Sequence, residues 1–268
     1  MNACILNCSI GFIDPDLCDH RYFFRKSQDG VTRGFSTCGV ARDALTKFLR
    51  GYGAIKASEY HYWLQYLPSV IHNPSVTGFL IEHACLSFIV LNGLNINMGI
   101  SGGMFPQTFP GKYPDYNRTK ELVIYCPTNF NFPAIDALIV RLDLTESKKK
   151  AWLFPVQVTI AKRHSDSELE FFAHWAEWCD RLSDFETEVH FLWVTNDNCH
   201  LSKDLERKVH SSARGETLIH PDYTSHRLPI SLVSSDISRR LESARSRASI
   251  PLLEDVWPEG YKIGRAHV

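Results

Sequence analysis

Long uncharged apolar stretches are missing from this sequence. No run of about 18 or more apolar residues without a charge occurs, and a membrane-spanning helix needs such a run. The opening residues, "MNACILNCSIGFIDPD", also lack the basic region and the small-residue cleavage site of a secretory signal. We therefore expect an intracellular protein without a membrane partner.

Clustered cysteines and a strong net charge are missing too. The eight cysteines are scattered, with no C-x-x-C pair and no close Cys/His quartet, so neither a zinc site nor a disulfide framework is indicated. A formal net charge of −1 gives the chain no overall attraction to polyanions. The sequence also has no G-x-x-x-x-G-K-[ST] motif, which excludes a P-loop within it.

Four runs rich in β-branched and aromatic residues are present, and they predict strands. A long apolar helix that ends at Gly93 precedes them, and an amphipathic helix over 165–185 lies between the third and the fourth. The order is helix, three strands, helix, strand. With 44% hydrophobic residues in 268, this predicts an α/β fold: a central mixed sheet of about four strands, flanked by helices and carrying helical extensions. The four runs are "ELVIYCPT", "AIDALIVRL", "AWLFPVQVTIA" and "EVHFLWVT".

The flanks of this core have a different composition. Residues 1–66 predict a helical N-terminal segment and residues 67–200 the core, with a long Gly/Pro-rich loop over 99–119. Residues 201–262 predict a basic, partly helical extension, because Lys203 to Arg247 contain nine Lys/Arg and six Asp/Glu. Its clearest helix is "SSDISRRLESARSRA", capped by Ser235 or Asp236.

The final residues, "KIGRAHV", back-translate to a widely used sequencing adapter with its in-frame stop. We expect residues 263–268 to be a read-through artefact and the natural protein to continue beyond Lys262. The other interpretation is a genuine polar tail.

Two strand-like runs each carry one polar residue at a position that looks buried, namely Asp136 and Gln157. Side chains alternate along a strand, so Gln157 and Thr159 share one face, and Asp136 on the adjoining run can reach the same face. A buried carboxylate must be paired, protonated or bound to a cation. Oxygen ligands of this kind suit a hard divalent ion. Pro155, beside them, cannot donate to a ladder and fits an edge strand or a bulge.

A helix-borne Glu82, the strand-borne Asp136 and a following Gln-x-Thr step together resemble the PD-(D/E)XK nuclease superfamily, with its restriction-endonuclease-like fold. Within it, the sequence is similar to the nuclease-like region of Crinkler-type effectors and retrotransposon hot spot proteins, from about Gly11 to about Thr195. The motifs that carry this similarity are "DHRYFF" (19–24), "GVARDAL" (39–45), "FPAIDAL" (132–138) and "FPVQVTIAKRH" (154–164).

The resemblance implies a function. Glu82, Asp136 and Gln157 would hold Mg²⁺ or Mn²⁺, and DNA phosphodiesters would be hydrolysed. Thr159 stands where such nucleases usually have a catalytic Lys, a role that Lys162 could take over. Lys162, Arg163 and His164 would contact nucleic acid. The resemblance further implies an upstream P-loop ATPase module, a nuclear location (the host nucleus for a secreted effector) and a host nuclear protein as a further partner.

Each of these residues also has a structural interpretation. Glu82 can be an ordinary helix residue at the edge of the core, and Asp136 a structural carboxylate beside a turn. Gln157 can be a buried amide bonded to the backbone, and Thr159 a simple β-former. Two alternative functions stay open as well: an inactive nuclease-fold module that binds nucleic acid or a host protein, and a regulatory domain of the upstream ATPase. The remaining structural readings are solvated side chains for Lys162 and Arg163 and a helix contact for His164.

Overall fold

A computed structural model of the chain describes part of its residues. These are 23–28, 31–36, 60–65, 67–71, 74–96, 98–128, 132, 134–144, 149–160, 167–196 and 220–248. Two predicted features, the helix that contains "GVARDAL" and residues 263–268, lie outside the described residues.

The N-terminal segment contains a β-hairpin. Strand β1 (Phe23–Gln28) pairs with β2 (Val31–Ser36) in antiparallel register, with Phe23 opposite Ser36. A helical segment is predicted over residues 1–66, and the hairpin is a departure from that prediction.

Within the described residues the main sheet is mixed and has six strands in chain order. The pairs β3–β4, β6–β7 and β7–β8 are parallel, and the pairs β4–β5 and β5–β6 are antiparallel. Strand β5 is therefore the one strand of this sheet that runs against its neighbours on both sides. The bounds are β3 (Phe105–Phe109), β4 (Leu122–Pro127), β5 (Ala137–Asp143), β6 (Lys150–Thr159), β7 (Glu186–Thr195) and β8 (Tyr223–Pro229).

The described sheet has six strands, whereas about four are predicted. Strands β4, β5, β6 and β7 are the four predicted runs, which are confirmed. Strand β3 lies in the segment predicted as a long loop, and β8 in the segment predicted as a mixed extension. Both are outermost strands of the described sheet, and most of their side chains are at least partly exposed. Neither strand therefore carries the apolar pattern from which a strand is predicted.

The long helix and the C-terminal helix agree with prediction. The apolar helix ends at Asn92, immediately before Gly93. The C-terminal helix begins at Ser235, and its cap is Ser234 rather than Ser235 or Asp236, because Ser234 Oγ accepts from the Ile237 N–H at 3.4 Å. The helices are α1 (Tyr60–Leu64), α2 (Leu67–Val70), α3 (Pro74–Asn92), α4 (Ser167–Ala173), α5 (Trp175–Cys179), α6 (Ile230–Val233) and α7 (Ser235–Ala248).

One continuous amphipathic helix is predicted over 165–185, and this prediction is wrong. It divides into α4, α5 and a 3₁₀ turn (Asp180–Leu182). His174, between α4 and α5, has φ −118° and ψ 27°, which is not helical. The break lets Phe171 and Trp178 stack at 5.0 Å, and both side chains are buried.

Two apolar layers cover the sheet. The α3 face is the side that packs against α3, α6 and α7, and it includes Val156 and Val158. The α4 face is the opposite side, which packs against α4 and α5 and includes Leu138, Leu153 and Trp193. Helices thus flank the mixed sheet on both sides, in an α/β fold. The predicted order of helix, three strands, helix and strand is correct for α3, β4–β6, α4–α5 and β7, but β3 adds a fourth strand between α3 and β4.

Pro155 lies in a central strand, not at the edge or bulge expected of it. It pairs opposite Leu138 of β5. On the other side the β6–β7 ladder is interrupted at Phe154 and Pro155 and resumes at Val156. The interruption accommodates the missing N–H of the proline. No helix among the described residues is long and apolar enough to span a membrane.

Candidate functional site

Asp136 and Gln157 meet at the start of β5. Asp136 directly precedes β5, and its N–H donates at 2.9 Å to the carbonyl of Val156, the register partner of Ala137. Gln157 Nε2 donates to Asp136 Oδ2 at 2.7 Å, and the Val158 N–H donates to the same oxygen at 2.7 Å. The two polar residues singled out in the sequence are therefore direct neighbours.

The contact fixes the orientation of the Gln157 amide. A carboxylate only accepts hydrogen bonds, so the NH₂ group of Gln157 must face Asp136 and its Oε1 must point elsewhere. Gln157 is 8% exposed and Asp136 is half-buried. The pair thus provides a carboxylate and an oriented amide oxygen at a largely buried position.

The pair lies at the carboxyl edge of the sheet, defined here as the edge where β6, β7 and β8 end. Gln157 pairs with Trp193 and Thr159 with Thr195 in the parallel β6–β7 ladder. Asp136 reaches this edge because β5 runs in the opposite direction and begins there. Open α/β sheets bind ligands at the carboxyl ends of their parallel strands.

Thr159 follows Gln157 by two positions on β6 and is 5% exposed. It carries no charge, so it cannot supply the positive charge that a lysine would bring to this position. Lys162, Arg163 and His164 lie outside the described residues, so their predicted roles stay predictions.

Glu82 lies on helix α3, which covers the α3 face of the sheet. Helix α3 joins the start of β3, where the Met104 N–H donates to the Val90 carbonyl at 3.1 Å. Glu82 lies ten residues before the end of α3 at Asn92, about 15 Å along the helix. A five-residue strand is about as long. We infer from these two lengths that Glu82 lies near the level of the carboxyl edge, on the helix that covers the α3 face.

Asp136 and Gln157 are cross-strand neighbours, and Gln157 alternates with Val156 and Val158 of the α3 face. The structure thus brings Asp136 and Gln157 together on the α4 face and carries Glu82 on the helix that covers the α3 face. A cation bound by all three would have to lie at the end of the sheet, where both faces can be reached. Glu82 also has His83 beside it, with 3.9 Å between Oε1 and Nδ1.

The oxygen donors near this edge are of the kind that Mg²⁺ uses in proteins. Besides Asp136, Gln157 and Glu82, the edge has Thr128, which directly follows β4. Its Oγ1 is buried and has no hydrogen-bond partner within the part of the chain that the structure describes, which is unusual for a buried hydroxyl. Among the described residues, however, no group of three or more His, Cys, Asp or Glu side chains is arranged to hold a metal ion. The donor types fit the ion, and the full ligand set stays a prediction.

Sequence reasoning missed Glu168. This carboxylate is 6% exposed and accepts three hydrogen bonds: from Trp193 Nε1 at 2.7 Å, from the Tyr223 hydroxyl at 2.8 Å and from Ser225 Oγ at 2.7 Å. It ties the first turn of α4 to β7 and β8. Burial and then the charge of Glu168 raise the pKa of Tyr223 well above its usual range.

Glu168 belongs to the surroundings of the site, because Trp193 is the register partner of Gln157. A signal for it exists in the sequence. Glu168 precedes Phe171 and Phe172 by three and four positions, so it occupies the apolar stripe of its helix. A carboxylate on such a stripe predicts a buried, hydrogen-bonded group.

Comparisons of the chain with protein-family models, with curated proteins and with solved structures found no match.

Proposed function

We propose that this chain is a metal-dependent, nuclease-like domain with a restriction-endonuclease-like core that acts on DNA phosphodiesters. The observation that carries the proposal is the hydrogen-bonded Asp136–Gln157 pair at the carboxyl edge of the sheet. The order of α3, β4–β6, α4–α5 and β7 supports it, because the resemblance to such nucleases implies a helix, three strands, a helix and a strand, and β3 is an addition to that order. DNA as the partner and the nucleus as the place of action are parts of the same proposal.

In this proposal Asp136, Gln157 and Glu82 hold Mg²⁺ or Mn²⁺. Such an ion, when bound, polarises a phosphoryl oxygen and lowers the pKa of a water. Asp136 supplies negative charge, and its contact with Gln157 keeps the amide oxygen of Gln157 turned outward. Thr159 can exchange hydrogen bonds with a water through its hydroxyl, and Lys162 supplies the positive charge that Thr159 lacks.

A plasmid-cleavage assay with Mg²⁺ and Mn²⁺ tests the proposal. The wild-type chain is expected to nick or linearise the plasmid, and Asp136→Asn to slow this by on the order of a hundredfold or more, as expected when transition-state stabilisation by a bound ion is lost. The matched control is Asp143→Asn, which removes the same charge from the opposite end of β5. Equal rates for wild type and Asp136→Asn would overturn the assignment.

A second candidate function is favoured by a specific observation. Both described hydrogen bonds to Asp136 Oδ2 come from the protein itself, from Gln157 and from Val158, and Thr159 replaces the usual lysine. A fold that satisfies its central carboxylate internally can bind nucleic acid without cleaving it. DNA binding by the wild-type chain in a gel-shift assay, without cleavage under any divalent ion, is the result that this alternative predicts.

A further inference from the structure

A second polar network lies on the α3 face of the sheet, away from the Asp136–Gln157 pair. It joins neighbouring strands: Glu188 and His190 on β7, and Thr224 and His226 on β8. Glu188 Oε1 is 3.0 Å from His190 Nε2, His190 Nδ1 is 2.5 Å from Thr224 Oγ1, and Thr224 Oγ1 is 2.9 Å from His226 Nε2. The register explains the contact, since His190 pairs directly with Thr224.

The chemistry of the partners fixes where the protons lie. A carboxylate only accepts, so His190 Nε2 carries a hydrogen and donates to Glu188. In a neutral imidazole the other nitrogen, Nδ1, then has no hydrogen and accepts from the Thr224 hydroxyl. Because the Thr224 hydroxyl donates its hydrogen to His190, the Thr224 oxygen accepts a hydrogen bond from His226 Nε2–H. All three hydrogen bonds therefore point toward Glu188.

His190 is suited to act as a base in this chain. Its ring stacks on Phe154, with centroids 5.4 Å apart and an interplanar angle of 19°, so its orientation is held. Burial lowers the pKa of His190, the Glu188 carboxylate on the same strand raises it, and Arg141 of β5 lowers it further. Burial and the neighbouring His190 lower the pKa of His226. Both lowered pKa values favour neutral rings at neutral pH.

We propose that Thr224 is an activated hydroxyl that accepts acyl groups from activated esters or thioesters. A carboxylate, an imidazole and a hydroxyl in hydrogen-bond sequence form the arrangement that activates hydroxyl nucleophiles. Thr224 is exposed on the outermost strand of the described sheet, so a small acyl donor can reach it.

The step balances without any further reagent. Thr224 Oγ1 attacks the carbonyl carbon of the donor, and its proton passes to His190 Nδ1. The imidazolium is stabilised by Glu188. Once Thr224 Oγ1 is bonded to the carbonyl carbon, the Nε2–H of His226, 2.9 Å from Oγ1, can move its hydrogen bond from Oγ1 to the carbonyl oxygen that becomes negative. The bond to the alcohol or thiol breaks, that group takes the proton from His190, and Thr224 is left as an ester.

Acylation by p-nitrophenyl acetate tests the proposal on the whole folded chain. The protein is incubated with the ester, digested and mapped by mass spectrometry. Thr224 is expected to gain one acetyl group on the order of a hundredfold faster than Ser243 of α7, since a positioned general base contributes about that much. Ser243 is an exposed hydroxyl in the same molecule and serves as the internal control.

Two variants separate activation from mere exposure. Thr224→Ser keeps the hydroxyl and is expected to be acetylated. His190→Gln keeps hydrogen-bonding atoms for Glu188 and Thr224 but has no basic nitrogen. In His190→Gln, acetylation of Thr224 should therefore fall to the level of Ser243. The rate in the wild type should also fall as acid protonates His190. Acetylation of Thr224 no faster than of Ser243, or unchanged in His190→Gln, overturns the proposal. Neither result depends on nuclease activity.

Discussion

Gln157 Nε2 donates to Asp136 Oδ2 at 2.7 Å, one residue before the first β5–β6 register pair, Ala137 and Val156. The Val158 N–H donates to the same oxygen. Asp136 therefore has a structural role at the start of β5 in addition to any role in binding a cation. The two roles can be separated by the choice of substitution.

Asp136→Ala is expected to lower the free energy of unfolding, because it leaves the Gln157 amide and the Val158 N–H without their acceptor. An unsatisfied buried donor costs about 1–3 kcal/mol. Asp136→Asn keeps one oxygen that can accept both bonds, so its loss should be smaller. Urea denaturation of both variants measures the difference, and equal stability of Asp136→Ala and wild type would contradict the hydrogen bonding described.

Glu168→Ala is expected to be more destabilising than Asp136→Ala. It removes the acceptor of three hydrogen bonds that join α4 to β7 and β8, and the loss should reach about 3 kcal/mol or more. Urea denaturation again provides the measurement.

The control for Glu168 is Glu170→Ala, two positions on in the same helix. The Glu170 side chain is 43% exposed, and substitutions of such surface residues usually stay within about 0.5 kcal/mol. Equal losses in the two variants would show that burial and hydrogen bonding do not distinguish Glu168.

The four central strands and helix α3 could be predicted because they are nearly continuous apolar runs, and α7 because its apolar residues recur at helical spacing. Strand β8 could not, because its polar residues form a strand only by pairing with β7, a partner that the local pattern does not reveal. The same limit applies to the sites. The alternation along β6 predicts which face Gln157 takes, but the contact between His190 and Thr224, which are 34 positions apart, depends on the register of β7 and β8.

Acid is expected to weaken the fold through His190 and His226. Both folded-state pKa values are lowered, mainly by burial, so at a pH below about 6.5, the usual value for His, the unfolded chain binds more protons than the folded one. The free energy of unfolding therefore falls as the pH falls below that value. Besides His226, the charged groups facing His190 are Glu188 and Arg141, and Glu188 partly opposes the effect.

The His190→Gln and His226→Gln double variant tests this pH dependence. The free energy of unfolding of this variant relative to wild type, measured by urea denaturation, should increase as the pH is lowered from 7.5 to 5. A stability difference that stays constant over this range would contradict the assignment.

Gly99→Ala is expected to destabilise the chain more than Gly103→Ala. Both glycines have positive φ, +68° and +75°, so alanine at either position introduces backbone strain. Only at Gly99 would the new Cβ meet a side chain, the guanidinium of Arg141, which donates to the Met98 carbonyl at 2.7 Å and stacks over Trp152 at 4.0 Å. Moving it should cost about another 0.5–1.5 kcal/mol. Thermal or urea unfolding compares the two, and equal losses would contradict the close approach of Arg141.

The central claim is that the Asp136–Gln157 pair is part of a cation site. Titration of Mn²⁺ into the protein, followed by electron paramagnetic resonance of the free ion, tests it most directly and does not depend on catalysis. We predict one site in the wild-type chain that Asp136→Asn abolishes, that Gln157→Ala and Glu82→Gln weaken, and that Asp143→Asn leaves unchanged. Mn²⁺ binding that is the same in wild type and Asp136→Asn would contradict the claim.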